Sequence, residues 1–240
     1  MDLISLSPLA YVSLFAIAVI GLPHGSLDGA IASFLGFKSI KSFSKFLFLY
    51  IIMSIGVIFF WFLFPVISLL LFLLISIYHF GSCDANFIIN KIDKLIISIA
   101  HGGSVVMGVI YFQKDISFQI FEYLSGSKIY LFFQFVDYFF YFILIFICFY
   151  FYLCLKNKKL FKNFIEIPLI LLIAFFAHPL VTFSIYFCCI HTPRHIVDVI
   201  KNLRKKKLQL YESYLYNNYI YGPVLALGIN WIFISITNFW

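Results

Sequence analysis

Long apolar runs follow one another along almost the whole chain, separated by short polar stretches. A bilayer crossing needs about 20 mostly apolar residues in a helix, because lipid offers no partner to an unpaired backbone group. Runs of that kind predict spans over 8–34, 46–64, 65–80, 93–113, 128–155, 164–177, 180–200 and 214–237. The first passes through Gly-Leu-Pro-His-Gly at 21–25, beyond its apolar part, and Pro65 is the predicted turn between the second and third. Residues 164–190 would read as one long helix but for Pro179, which disfavours helical geometry at His178 and predicts a break there.

Charge placement supports that break. With eight spans, Lys38, Lys41, Lys45, Lys91, Lys94, Lys156, Lys158, Lys159, Lys162, Lys201, Arg204, Lys205, Lys206 and Lys207 all fall on one side. Only Lys114 and Lys128 fall opposite, and Arg194 sits within a span. Fourteen against two is the asymmetry of the positive-inside rule. Seven spans would move the 201–207 cluster outside. The expectation is an all-α polytopic membrane protein, a single integral domain over 1–240, with both termini outside and its basic loops in the cytoplasm.

Composition agrees. Hydrophobic residues are 63% of the 240, aromatics 22% and charged residues 11%. A water-soluble domain needs nearer ~25% charge to coat itself, and disorder needs low hydrophobicity, so both classes are excluded. Mean hydropathy is +1.03. The net charge of +7 would suggest a nucleic-acid partner in a soluble chain; here it lies in the loops, touching anionic headgroups, and no nucleic acid is expected. Cys83, Cys148, Cys154, Cys188 and Cys189 form no CxxC pattern and read as small hydrophobes, with no disulfide framework. The Met-Asp-Leu-Ile start lacks the basic region of a cleaved signal peptide.

Ionisable groups inside lipid are costly and mark function by default. The topology places His24, His79, His191 and His195 at similar depth near the cytoplasmic face. His191 and His195, spaced i,i+4, share one helix face and can reach one metal. Pro193 between them removes a backbone hydrogen bond and predicts a local bend. With His24 and His79 they would make a buried four-imidazole site, suited to zinc, copper, iron or nickel. His178, beside a proline at a turn on the opposite surface, reads as structural. His101, followed by Gly102 and Gly103, reads equally as a packing site or as a pocket residue. Asp28, Asp84 and Asp198 follow the histidines and are candidates to accept the second N–H of a metal-bound imidazole. Asp28 is the best placed; Asp84 and Asp198 fit wet helix ends slightly better. Arg194 would pair with one of these acids or reach the headgroups.

Gly-Leu-Pro-His-Gly-Ser-Leu-Asp at 21–28, Tyr-His-Phe-Gly at 78–81 and His-Thr-Pro-Arg-His at 191–195 resemble, in that order, the Brp/Blh family. These are the bacterial and archaeal membrane beta-carotene 15,15'-dioxygenases that make retinal for microbial rhodopsins. The resemblance implies cleavage of the central double bond of beta-carotene by an enzyme using Fe(II) and molecular oxygen. It also implies His24, His79, His191 and His195 as iron ligands, and hand-over of retinal to a rhodopsin. The Ser82-Cys83-Asp84 segment departs from the family pattern, which has an acidic or small residue before the aspartate. Substrate-lining residues are not legible.

Three other readings compete. A di-iron membrane hydroxylase needs eight or more histidines, and this chain has six with a single HxxxH. A non-enzymatic metal or haem carrier would use two axial histidines and leave the other two without a purpose. A rhodopsin-assembly helper that cleaves nothing is opposed by the intact four-histidine set.

Overall fold

The computed structural model describes residues 7–21, 32, 36–126 and 129–206. His24, Asp28 and the predicted span 214–237 lie outside them. The described residues are mostly helical, without a strand among them. They form α1 (Pro8–Ala16), α2 (Ile40–Leu63), α3 (Pro65–Asp84), α4 (Lys91–Phe112), α5 (Lys114–Ser125), α6 (Tyr130–Lys156), α7 (Glu166–Phe176), α8 (Pro179–Ser184) and α9 (Thr192–Lys206). Four of these, α2, α3, α4 and α6, are long and apolar enough to cross a membrane. They correspond to the second to fifth predicted spans, and the chain is a membrane protein.

The helix ends follow from local chemistry. Pro65 opens α3 at a first-turn position, where its missing N–H costs nothing. The Asn90 side chain caps α4, accepting from Ile92 N–H at 2.9 Å and Asp93 N–H at 3.3 Å. Gly126, at φ +60°, takes the left-handed turn that closes α5. The break at His178-Pro179 is present: Ala177 is extended after α7, and His178 Nδ1 accepts the Leu180 N–H at 3.2 Å to start α8. Gln113, at the end of α4, donates to the carbonyls of Ala174 and Phe175, both at 3.1 Å, satisfying the last turn of α7. The sequence pattern had left 114–127 as a connection; α5 fills it, with Lys114 paired to Asp137 of α6.

Among the described residues three π-helical turns interrupt the α geometry, at Ile17–Gly21, Ser104–Gly108 and Ile185–His191. The first and third directly precede Pro23 and Pro193. The bend predicted at Pro193 therefore takes the form of a widened turn, which makes room for a ring that would clash with the preceding turn.

The residues fall into two compact units, one holding 64–186, the other holding 36–63 and 187–206. In the first, α4 is the central helix: 72% of its apolar stretch is buried, against 22% for α6. Ala85, Ile97, Ala100, Tyr150, Cys154 and Ile167 form the core there. Gly81 and Gly102 let α3 and α4 approach to backbone contact; a Cβ on Gly102 would overlap the Ile77 carbonyl, and one on Gly81 the Ser98 carbonyl. In the second unit, Phe46 and Tyr50 of α2 pack with Ala32, while the outer face of α2 carries exposed Phe48, Ile55, Phe59 and Phe62, as lipid contact requires.

Candidate metal centre

Within the 64–186 unit the last two turns of α3 carry the chemistry. His79 is 3% exposed, and Cys83 follows one turn later, so an imidazole nitrogen and the thiol sulfur lie within 4.8 Å of each other. Helical i,i+4 spacing puts both donors on one face. Cys83 escaped the sequence reading because a lone cysteine in an apolar run reads as a hydrophobe; the His-x-x-x-Cys spacing was the available signal. None of the five cysteines is joined in a disulfide.

Asp84, the last residue of α3, is 2% exposed and is not a wet helix end. Its Oδ2 accepts the Tyr186 hydroxyl at 2.7 Å and faces His101 Nδ1 at 2.9 Å. On the other side of the ring, His101 Nε2 lies 3.3 Å from Glu166 Oε2. His101 is fully buried. The imidazole thus lies between two carboxyl groups, within ion-pair distance of each. His101 sits where α3 and α4 pack, with a carboxyl group facing each ring nitrogen, and it does not line the pocket of this unit. Sequence reasoning missed Glu166 and Tyr186. Glu166 was detectable as the one acid at the start of an apolar run; Tyr186 carries no signal among sixteen tyrosines.

The 187–206 segment carries the second donor pair. The rings of Phe187, His191 and His195 stack in a column at i, i+4 and i+8. The two imidazoles are 6.0 Å apart and within 7° of parallel, and His191 is 1% exposed. The i,i+4 spacing puts both rings on one helix face, where they lie stacked on each other rather than converging on one point. Asp198, one turn further along, is partly exposed. His178 belongs to none of these groups: it caps α8, and burial pushes its imidazole below the ordinary histidine range.

Long apolar helices, together with buried imidazole and thiol donors that could hold an ion, define the class: a membrane protein with a candidate metal site. The particular family comes from sequence comparison: the family model Beta-carotene 15,15'-dioxygenase matches residues 15–238, and the chain belongs to that family. It is similar to the protein named Beta-carotene 15,15'-dioxygenase from uncultured marine bacterium 66A03, with 38% identity over 197 residues, covering 81% of this chain and 70% of the relative. No solved structure matches it.

Proposed function

We propose that this chain cleaves the central double bond of beta-carotene to two molecules of retinal, at an Fe(II) ion held by His24, His79, His191 and His195. The observation that carries the activity is family membership across residues 15–238. The donor chemistry supports the metal: neutral imidazoles at i,i+4 spacing suit a first-row metal. Splitting an unactivated alkene with oxygen requires a redox-active one, which side chains alone cannot replace.

The reaction balances without a further reductant. In R–CH=CH–R + O2 → 2 R–CHO the carbon–carbon double bond breaks and each carbon takes one oxygen atom, so no outside electron or proton is consumed. Bound Fe(II) supplies the one-electron chemistry by which ground-state oxygen reacts with an alkene. The chain binds and orients. His191 and His195 present two donors from one helix face, and His79 a third from the buried side of α3. Asp28, Asp84, Asp198 and His101 are the groups assigned to hold those imidazoles in place, as carboxylates do around metal-bound histidines.

The substrate is a hydrocarbon dissolved in the bilayer and enters laterally. In this reading the chain is one integral domain of eight spans in the plasma membrane, with both termini outside. The basic loops and the metal face the cytoplasm, and retinal passes to a microbial rhodopsin.

Metal analysis tests the site directly. Purified protein is expected to carry about one iron per chain, and alanine at His24, His79, His191 or His195 to lose both iron and retinal formation. Alanine at His178 keeps both. Stoichiometric zinc or copper, or a haem Soret band, would contradict the reading. Retention of iron in all four alanine variants would contradict the ligand set.

A further inference from the structure

A partly open cavity of about 230 Å³ lies in the 64–186 unit, walled by Phe72, Ser76 and Phe80 of α3, Val106 of α4, Phe121 of α5 and Phe183 of α8. Among the described residues, Ser76 and Ser117 are the only hydroxyls in its wall; the rest is hydrocarbon and aromatic. An apolar cavity of about 150 Å³ stays dry and takes up benzene. A nine-carbon trimethylcyclohexenyl ring has half as many carbons again and asks for a space close to the one present. The whole carotenoid does not fit, so the cavity suits one end of it.

Its position along α3 fits the same ligand. Phe72, Ser76 and His79 lie at i, i+4 and i+7, on one face of the helix. Seven residues rise roughly 10 Å, which is comparable to the reach from the central double bond of an extended carotenoid to its ring. Phe80 joins the two places, lining the cavity while its ring centroid stands 5.7 Å from that of His79. Phe80 is itself fixed edge-on by Tyr186 at 5.3 Å, the residue that donates to Asp84.

We propose that this cavity seats one end ring of the carotenoid and so measures the distance from ring to metal, which makes Ser76 and Val106 determinants of substrate position. The inference rests on the reading of His79 as a metal ligand. The shared chemistry of a ring and of a lipid acyl tail is plain hydrocarbon, and the test separates them.

The first arm uses the wild-type protein and β-ionone, which is the end ring with only a short tail. Competitive inhibition is expected, with KM for beta-carotene raised and kcat unchanged. Absence of competition, as for a cavity filled by lipid, overturns the proposal. In the second arm Ser76→Phe or Val106→Trp fills the space. These variants are expected to raise KM at least roughly tenfold with kcat and iron content little changed. Leu74→Phe, on the exposed side of the same helix, leaves both constants alone. Unchanged KM in folded, iron-loaded filling variants overturns the proposal. Should they not fold, the β-ionone result decides.

A third arm needs no chemistry. His79→Ala protein purified from a carotene-accumulating host is expected to retain carotenoid, and His79→Ala/Ser76→Phe to lose most of it; equal retention overturns the ring seat. Failure of wild-type cleavage would instead strike the proposed function, leaving this arm to judge the cavity.

Discussion

Asp84 concentrates the polar energetics of the 64–186 unit in one carboxylate. It takes the Tyr186 hydroxyl and faces His101, whose far nitrogen meets Glu166. In a buried setting the loss of one partner strands the others, so the cost is the desolvation of what remains rather than the strength of one bond. Asp84→Ala is therefore expected to destabilise the protein by about 3–5 kcal/mol. Tyr186→Phe, which removes one donor and keeps the ring packed on Phe80, is expected to cost roughly 1.5–3 kcal/mol. Unfolding in detergent checks the order; equal stability of Asp84→Ala and wild type would show that the cluster carries no such load. These partners were not legible because 102 positions separate Tyr186 from Asp84, and one sequence holds no record of which distant residues meet. The histidines were legible because a polar ring in an apolar run is costly enough to stand out.

At the level of helices, the close passage of α3 and α4 depends on two glycines. Gly102→Ala sets a methyl against the Ile77 carbonyl, and Gly81→Ala sets one against the Ser98 carbonyl. Backbone cannot swing aside as a flexible side chain can, so each helix must shift. Each substitution is expected to lower stability by at least about 1–3 kcal/mol. Gly56→Ala, with nothing within 4 Å of the added methyl, is expected to be neutral or slightly stabilising. A shift in melting temperature at Gly56 as large as at Gly102 would refute the close-approach argument.

Breaks and turns at this scale were readable where proline wrote them: Pro65 opens α3 and Pro179 opens α8. The widened turns at 17–21 and 185–191 were half readable, since Pro23 and Pro193 signal a disturbance without giving its form. Helix α5 was missed because its mixed polar face lacks the continuous apolar run that marks a span.

For the molecule as a whole, the distribution of charge is the controlling feature. Four long apolar helices stand among the described residues; in the eight-span reading the basic residues, Arg194 apart, divide fourteen to two. Single cysteines introduced at Lys158 and at Lys114 on a cysteine-free background test this. An impermeant thiol reagent added to intact cells is expected to label position 114 and to spare position 158 until the membrane is opened. The reverse pattern would invert the proposed orientation and carry the histidine pair at 191 and 195 to the other face.

The most direct measurement is product formation. In a host that accumulates beta-carotene, expression of the wild-type chain is expected to consume carotene and yield two retinal molecules for each one lost, and His191→Ala is expected to yield none. Carotene that persists unchanged while the folded wild-type protein is present in the membrane would contradict the account.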